Sequence, residues 1–141
     1  MSEQANLQAN VELIQAAYAA FSRGDIQSIL DSLTPNVEWI AAPVEPVAGT
    51  YRGKEEVAHF FRKVDELADY SNFEPREYIA QGDRVVVLGY YRAAAKRTGR
   101  IFECNWAMAF TVQDGKISQF QEFTDTAALN AALATASAAT A

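Results

Sequence analysis

The stretch Trp106-Ala-Met-Ala-Phe-Thr-Val-Gln-Asp-Gly-Lys-Ile-Ser-Gln-Phe-Gln-Glu-Phe123 decides the fold. Two apolar runs flank Gln113-Asp114-Gly115-Lys116, and Asp-Gly between such runs is a strong hairpin signal. With Asp114 and Gly115 as the two loop residues, Gln113 pairs with Lys116. Counting back, Met108 faces Gln121 and Ala107 faces Glu122. Side chains alternate across a strand, so Trp106, Met108 and Phe110 share one face. Phe120, Glu122 and Thr124 share one face of the next strand. This simple register puts the two sets on opposite sides of the sheet. A one-residue bulge would bring them together, because a slip of one flips every assignment.

Working outward, Arg84 to Ala95 and Arg100 to Val112 read as long strands around the turn Arg97-Thr98-Gly99. Phe73 to Ala80 reads as the strand before them, joined through Gln81-Gly82-Asp83. Upstream the period changes to that of helices. Leu7, Val11, Ile14, Tyr18 and Phe21 draw one apolar stripe. Gly24 stands where a helix C-terminus ends, and Asp25 stands as the N-cap of a short second helix with Ile26, Ile29, Leu30 and Leu33 as its stripe. Thr34-Pro35-Asn36 reads as a breaker and turn. Val37 to Ala41 is a strand. A third helix spans about Lys54 to Ala68, with Val57, Phe60, Phe61, Val64 and Leu67 inward. Glu55 and Glu56 occupy its first turn, where the dipole favours them. A last short helix covers Thr126 to Leu133. The order is ααβα and then four antiparallel strands, an α+β layer arrangement. The expectation is one domain over residues 1–134, with an alanine-rich, disordered tail over residues 135–141.

Length and composition narrow the function. The chain has 141 residues, half of them apolar, with 18 acidic and 12 basic side chains and a net charge of −6. That apolar share supports a core and excludes a disordered polyelectrolyte. The charge has the wrong sign for a nucleic-acid binder. A single cysteine, Cys104, excludes a disulfide scaffold and fits a small buried residue. No run approaches the length of a membrane helix, and Met1 to Asn10 lacks a signal pattern. A soluble, cytoplasmic protein with no membrane or nucleic-acid partner is the expectation. Of the 26 alanines, 9 lie in the last fifteen residues, so the core rests on the aromatic and β-branched residues between Leu7 and Phe123.

Five stretches carry a family resemblance: Tyr18-Ala-Ala-Phe-Ser-Arg-Gly-Asp25, Val37-Glu-Trp39, Tyr51-Arg-Gly53, Trp106 with Phe110-Thr-Val-Gln-Asp-Gly-Lys-Ile117, and Phe123-Thr-Asp125. Together they resemble the SnoaL-like group of the nuclear transport factor 2-like, ketosteroid-isomerase-related superfamily, from about Asn6 to Leu133. The resemblance implies a cystatin-like α+β roll. Its curved, mixed and mostly antiparallel sheet forms a cone, with the three helices of the N-terminal half on the concave side. It also implies a pocket inside the cone and a homodimer through the open sheet face. It further implies that both hairpin residue sets face the cavity. Such a superfold hosts isomerases, cyclases, dehydratases and non-catalytic binders, so fold alone does not choose among them.

Residue by residue, the resemblance divides. Ketosteroid isomerases use an aspartate base and an oxyanion hole of tyrosine and protonated acid. Here the base position falls at Ala41 or Ile40 and the acid at Met108, and neither can do that work. Tyr18 lies one position from the tyrosine. The cyclases use an acidic residue on the last strand and a histidine on the strand before. Glu122 fills the first role, and Met108 occupies the second.

Glu122 is therefore the candidate proton carrier, with an outward-facing, arginine-paired glutamate as the other reading. Tyr18 is either a core tyrosine or a pocket donor. Trp39, Phe60, Asn105, Trp106, Met108 and Phe120 are the candidate ligand-binding residues, the tryptophans being core or pocket wall. Asn105 or Tyr18 would hold a ligand oxygen. Of Tyr90 and Tyr91, one points in and the other out. Asp125 reads as an N-cap, and His59 sits beside the apolar stripe at the rim. Arg92, Lys96, Arg97 and Arg100 read as a solvated, edge-protecting turn. The residues offer no metal site and imply no cofactor. The expected ligand is a small, neutral hydrophobic molecule. The expected chemistry is proton transfer next to a carbonyl, as in an isomerase, cyclase or dehydratase. The alternatives are a non-catalytic dimeric ligand-binding or accessory module, and a protein-interaction module.

Overall fold

The computed structural model describes residues 3–134, so the tail over residues 135–141 lies outside the described residues. Helix α1 (Glu3–Ser22) ends as its sequence requires. Gly24 has φ +72°, its N–H donates to Phe21 O at 3.1 Å, and Asp25 N–H donates to Ala20 O at 2.8 Å. This paired closure satisfies carbonyls the last turn would otherwise leave open. Asp25 then caps α2 (Ile26–Asp31), accepting from Ser28 N–H at 3.1 Å.

Leu33 does not extend the stripe of α2. It is the first residue of β1 (Leu33–Ile40), and its Cα pairs with Ile117. Thr34-Pro35-Asn36 is likewise no turn: it lies inside β1, where the register with β6 jumps from Leu33↔Ile117 to Glu38↔Gln119. Pro35 has no N–H to donate, so the ladder bulges around it and resumes.

A short strand that the sequence does not advertise, β2 (Thr50–Arg52), pairs antiparallel with β1 through Trp39↔Tyr51. Helix α3 (Gly53–Leu67) follows directly. Strand β3 (Ala68–Gln81) begins five residues before the expected Phe73, because its polar start is held by pairing with the end of β4 (Arg84–Ala95). Pairing, more than β-propensity, sets that boundary. Strands β5 (Ile101–Gln113) and β6 (Lys116–Phe123) and helix α4 (Thr126–Leu133) complete the chain. Asp125 caps α4, accepting from Ala128 N–H at 3.0 Å.

The six strands form one curved sheet in the order β2-β1-β6-β5-β4-β3, with only β1 and β6 parallel. The helices α1 to α3 cover its concave face, which makes the expected mixed, mostly antiparallel α+β cone. No described helix is long and apolar enough to cross a membrane.

Candidate functional site: a carboxyl in an aromatic cavity

The final hairpin contains the bulge that positions the site. Gln113↔Lys116 and Val112↔Ile117 pair as the turn requires, but Thr111 then pairs with Gln119, and Ser118 is the extra residue. From there on Phe110 faces Phe120 and Met108 faces Glu122. The simple register, Met108 with Gln121 and Ala107 with Glu122, is corrected by one residue. Trp106, Met108 and Phe110 therefore share the inner face with Phe120 and Glu122. The Ser118 hydroxyl, donating to Thr111 O at 3.3 Å, satisfies an acceptor at the bulge.

Inside the cone Met108, Phe110, Phe120 and Glu122 help line a cavity of about 80 Å³. Its walls are apolar. Trp39 stacks on Phe120 at 3.9 Å and an interplanar angle of 17°, Phe110 meets Phe120 edge-on at 5.2 Å, and Phe60 packs against Trp39 at 5.9 Å. Tyr18 reaches in from α1, and its hydroxyl donates to Met108 Sδ at 3.1 Å. Thioether sulfur is a weak acceptor, so that hydroxyl is readily redirected to a better one.

Among the described residues, Glu122 is the only carboxylate in the lining. Its surface is half-buried because the cavity opens onto it, but protein packs closely around the group. Desolvation pushes its pKa up from 4.5 to about 7, and a hydrogen bond from Tyr91 works the other way. Three tyrosines, Tyr18, Tyr70 and Tyr91, also line the cavity, and burial holds each hydroxyl well above its ordinary pKa. The Glu122 charge adds to that rise in all three. At neutral pH the site is thus a half-titrated carboxyl among neutral hydroxyl donors and hydrocarbon. Such a carboxyl can give or take a proton near pH 7.

Of the sequence-derived candidates, Glu122, Tyr18, Trp39, Phe60, Met108 and Phe120 come together around the cavity. Trp106 is buried one layer behind, 5.8 Å from the Tyr18 ring and 5.2 Å from Phe73. Asn105 is a correction: it is exposed on the outer face of β5, opposite Tyr90, because only the even-numbered residues of that strand point inward. It cannot hold an oxygen in the cavity. His59 and Asp125 are exposed, in keeping with rim and capping positions. The expectation missed Tyr70, which lies before Phe73, the expected start of β3. It also left Tyr91 open. The signal for Tyr91 was present: Arg84 and Arg92 mark the even positions of β4 as outward, which turns Tyr91 inward. Among the described residues no three His, Cys, Asp or Glu side chains gather as metal ligands would. The indole N–H groups of Trp39 and Trp106 are buried without an acceptor among the described residues.

The family model described as the SnoaL-like domain matches residues 14–120. The chain belongs to the SnoaL-like family. Its fold is that of the NTF2-like superfamily. An NTF2-like protein from Burkholderia xenovorans LB400 superimposes on this SnoaL-like chain with a TM-score of 0.84. It is 38% identical, over 91% of this chain and 98% of its own. TerC, co-crystallised with polyporic acid, is 32% identical, over 89% of this chain and 98% of its own, with a TM-score of 0.81. An uncharacterized protein of Mycobacterium tuberculosis is 29% identical over 115 residues, 82% of this chain and 88% of that one.

Proposed function

We propose that this SnoaL-like protein binds a small, neutral, hydrophobic molecule in the cone and transfers a proton next to its carbonyl without a cofactor. The chemistry would be that of an isomerase, cyclase or dehydratase. The observation that carries the reading is Glu122, the single carboxylate among the described residues of an aromatic cavity, with a pKa raised to about 7. A general acid or base works best with its pKa near the operating pH. Tyr18, Tyr70 and Tyr91 are the oxygen-holding donors, because burial keeps them protonated. Trp39, Phe60, Met108 and Phe120 supply the apolar walls that exclude water, with Trp106 bracing Tyr18 from behind. The co-crystallisation of TerC, a 32% identical relative, with polyporic acid supports a small organic ligand for this chain as well.

One observation favours a second reading, a non-catalytic binding module. Met108 stands directly across from Glu122, where the cyclase pattern places a histidine, so the described lining holds no second base. Glu122→Gln separates the two. It keeps size and hydrogen-bonding reach but cannot titrate. Acid–base catalysis predicts turnover lost with ligand affinity largely kept. Turnover unchanged in the variant refutes the role of Glu122 as proton carrier.

A homodimer through the outer face of the sheet belongs to the same reading. Leu88, Ala107 and Phe123 pair in one row across that face, and Phe123 is 52% exposed. Burying such a row against a second copy is favourable by the hydrophobic effect. A soluble cytoplasmic setting accompanies it.

A further inference from the structure

The cavity does not end at its aromatic wall. Five of its lining residues, Phe21, Phe61, Val64, Tyr70 and Phe73, also form the floor of a second, larger cleft of about 760 Å³. That cleft lies between the end of α1, the start of α2, the outer side of α3 and the first residues of β3. The four shared rings form a collar centred on Phe21, which meets each of the other three. Phe21 lies 5.0 Å from Phe73, 6.1 Å from Phe61 and 6.4 Å from Tyr70. All four are only half-buried, since each shows one side to either chamber.

The sizes of the two chambers matter. An apolar cavity of about 150 Å³ takes up one benzene, so the inner 80 Å³ has room for at most one ring. A ligand with more than one ring must place the remainder outside the collar. The outer cleft suits such a remainder. Ile26 and Ala58 extend its apolar floor, and Arg62, Asp65 and Asp69 set charges along its rim. Half-buried aromatic rings gathered at one place are a feature of binding grooves.

We propose that the outer cleft is a second subsite of the same binding site, and that the ligand is a two-part aromatic molecule. One ring sits in the inner cavity with its oxygen at Glu122. The collar of Phe21, Phe61, Tyr70 and Phe73 encloses the bond between the parts. The second ring lies over Ala58 and Ile26, with polar substituents toward Arg62 and Asp65. This rests on the inner cavity being the ligand site. The collar residues then determine specificity by length: they separate a ligand of one ring from a ligand of two.

The test uses phenol and 4-phenylphenol as one-ring and two-ring probes, titrated calorimetrically into the wild-type protein. The second ring buries enough further apolar surface that 4-phenylphenol binds at least about tenfold tighter than phenol. Ala58→Trp fills the outer cleft without touching the inner cavity, and Arg62→Trp crowds the same cleft from its exposed rim. Either variant, checked for unchanged thermal unfolding, removes the two-ring advantage and leaves phenol affinity within about twofold. Equal affinity of the two probes in the wild type overturns the proposal. So does a two-ring advantage that survives both variants, or an equal loss for both probes. Absence of phenol binding overturns this subsite and the inner ligand site together. Glu122→Gln reads the acid–base role separately: it removes the pH dependence of phenol binding near pH 7, and the preference for two rings stands whether or not that dependence is found.

Discussion

Glu122 carries a cost that the rest of the cavity walls do not. Its carboxyl titrates at about 7 in the folded protein against an ordinary value of 4.5. The folded state therefore holds the proton more tightly than the unfolded chain does. The contribution to stability is complete below pH 4.5 and is lost as pH rises to about 7, beyond which it stays lost. The loss amounts to about 3 kcal/mol, since each pKa unit corresponds to about 1.4 kcal/mol. Glu122→Gln, which is neutral throughout, is expected to be the more stable protein at pH 8 by about 2 to 3 kcal/mol. The two should converge near pH 4, and urea unfolding at the two pH values reads this directly. Tyr91 acts on the same group in the opposite sense. Its hydrogen bond favours the ionised carboxyl, and its hydroxyl lies 2.6 Å from Thr124 Oγ1. Tyr91→Phe is expected to raise the Glu122 pKa further, measured by the carbon chemical shift of the carboxyl. A fall would contradict the assignment. That Glu122 points inward was only half legible in the sequence. Alternation names the residues that share a face, but it does not tell which face once a bulge is allowed.

Elements in this protein are positioned by small residues at close approaches and turns. Gly89, midway along β4, pairs with Trp106 on β5 and Pro75 on β3. A methyl group added there would lie 2.3 Å from Trp106 Cζ2 and 2.6 Å from Glu74 O. Neither a packed indole nor a strand carbonyl yields easily, so Gly89→Ala is expected to cost about 1 to 3 kcal/mol and to displace Trp106 from behind Tyr18. Thermal unfolding and the tryptophan emission spectrum check both parts. Gly24→Ala meets no atom within 4 Å, and its cost comes from the backbone alone, at φ +72°. That cost is about 1 kcal/mol, with no change at the cavity. The contrast shows what the sequence does and does not say. Gly24, followed by a capping Asp25, announces itself because its role is local. Gly89 is silent, because the atoms that require it lie on other strands. Strand β2 and the first five residues of β3 were hidden for the same reason: their partners are distant in sequence, β2 is only three residues long, and the start of β3 is mostly polar. Leu33, read as helical, belongs to β1 because Ile117 claims it.

At the scale of the molecule, the α+β cone was readable from the helical stripes, the strand lengths and the Asp114-Gly115 turn. The cavity's position inside it was not, since it depends on one extra residue, Ser118, and on the helices that close over it. The outer face of the sheet presents Leu88, Phe123 and Ile101 to solvent. If a second copy covers them, the wild type sediments as a dimer and Phe123→Asp as a monomer, while the inner cavity is unchanged. A monomeric wild type would refute that assembly. The closed cone expresses itself most directly in one number. Every part of the architecture meets at Glu122: the bulge that turns it inward, the aromatic walls that dry it, and the tyrosines around it. The decisive measurement is the pKa of its side chain in the folded protein, followed by carbon NMR across the pH range and assigned by comparison with Glu122→Gln. A midpoint near 7 is the expected result. A midpoint near 4.5, the value of a solvated glutamate, would contradict both the buried carboxyl and the chemistry proposed for it.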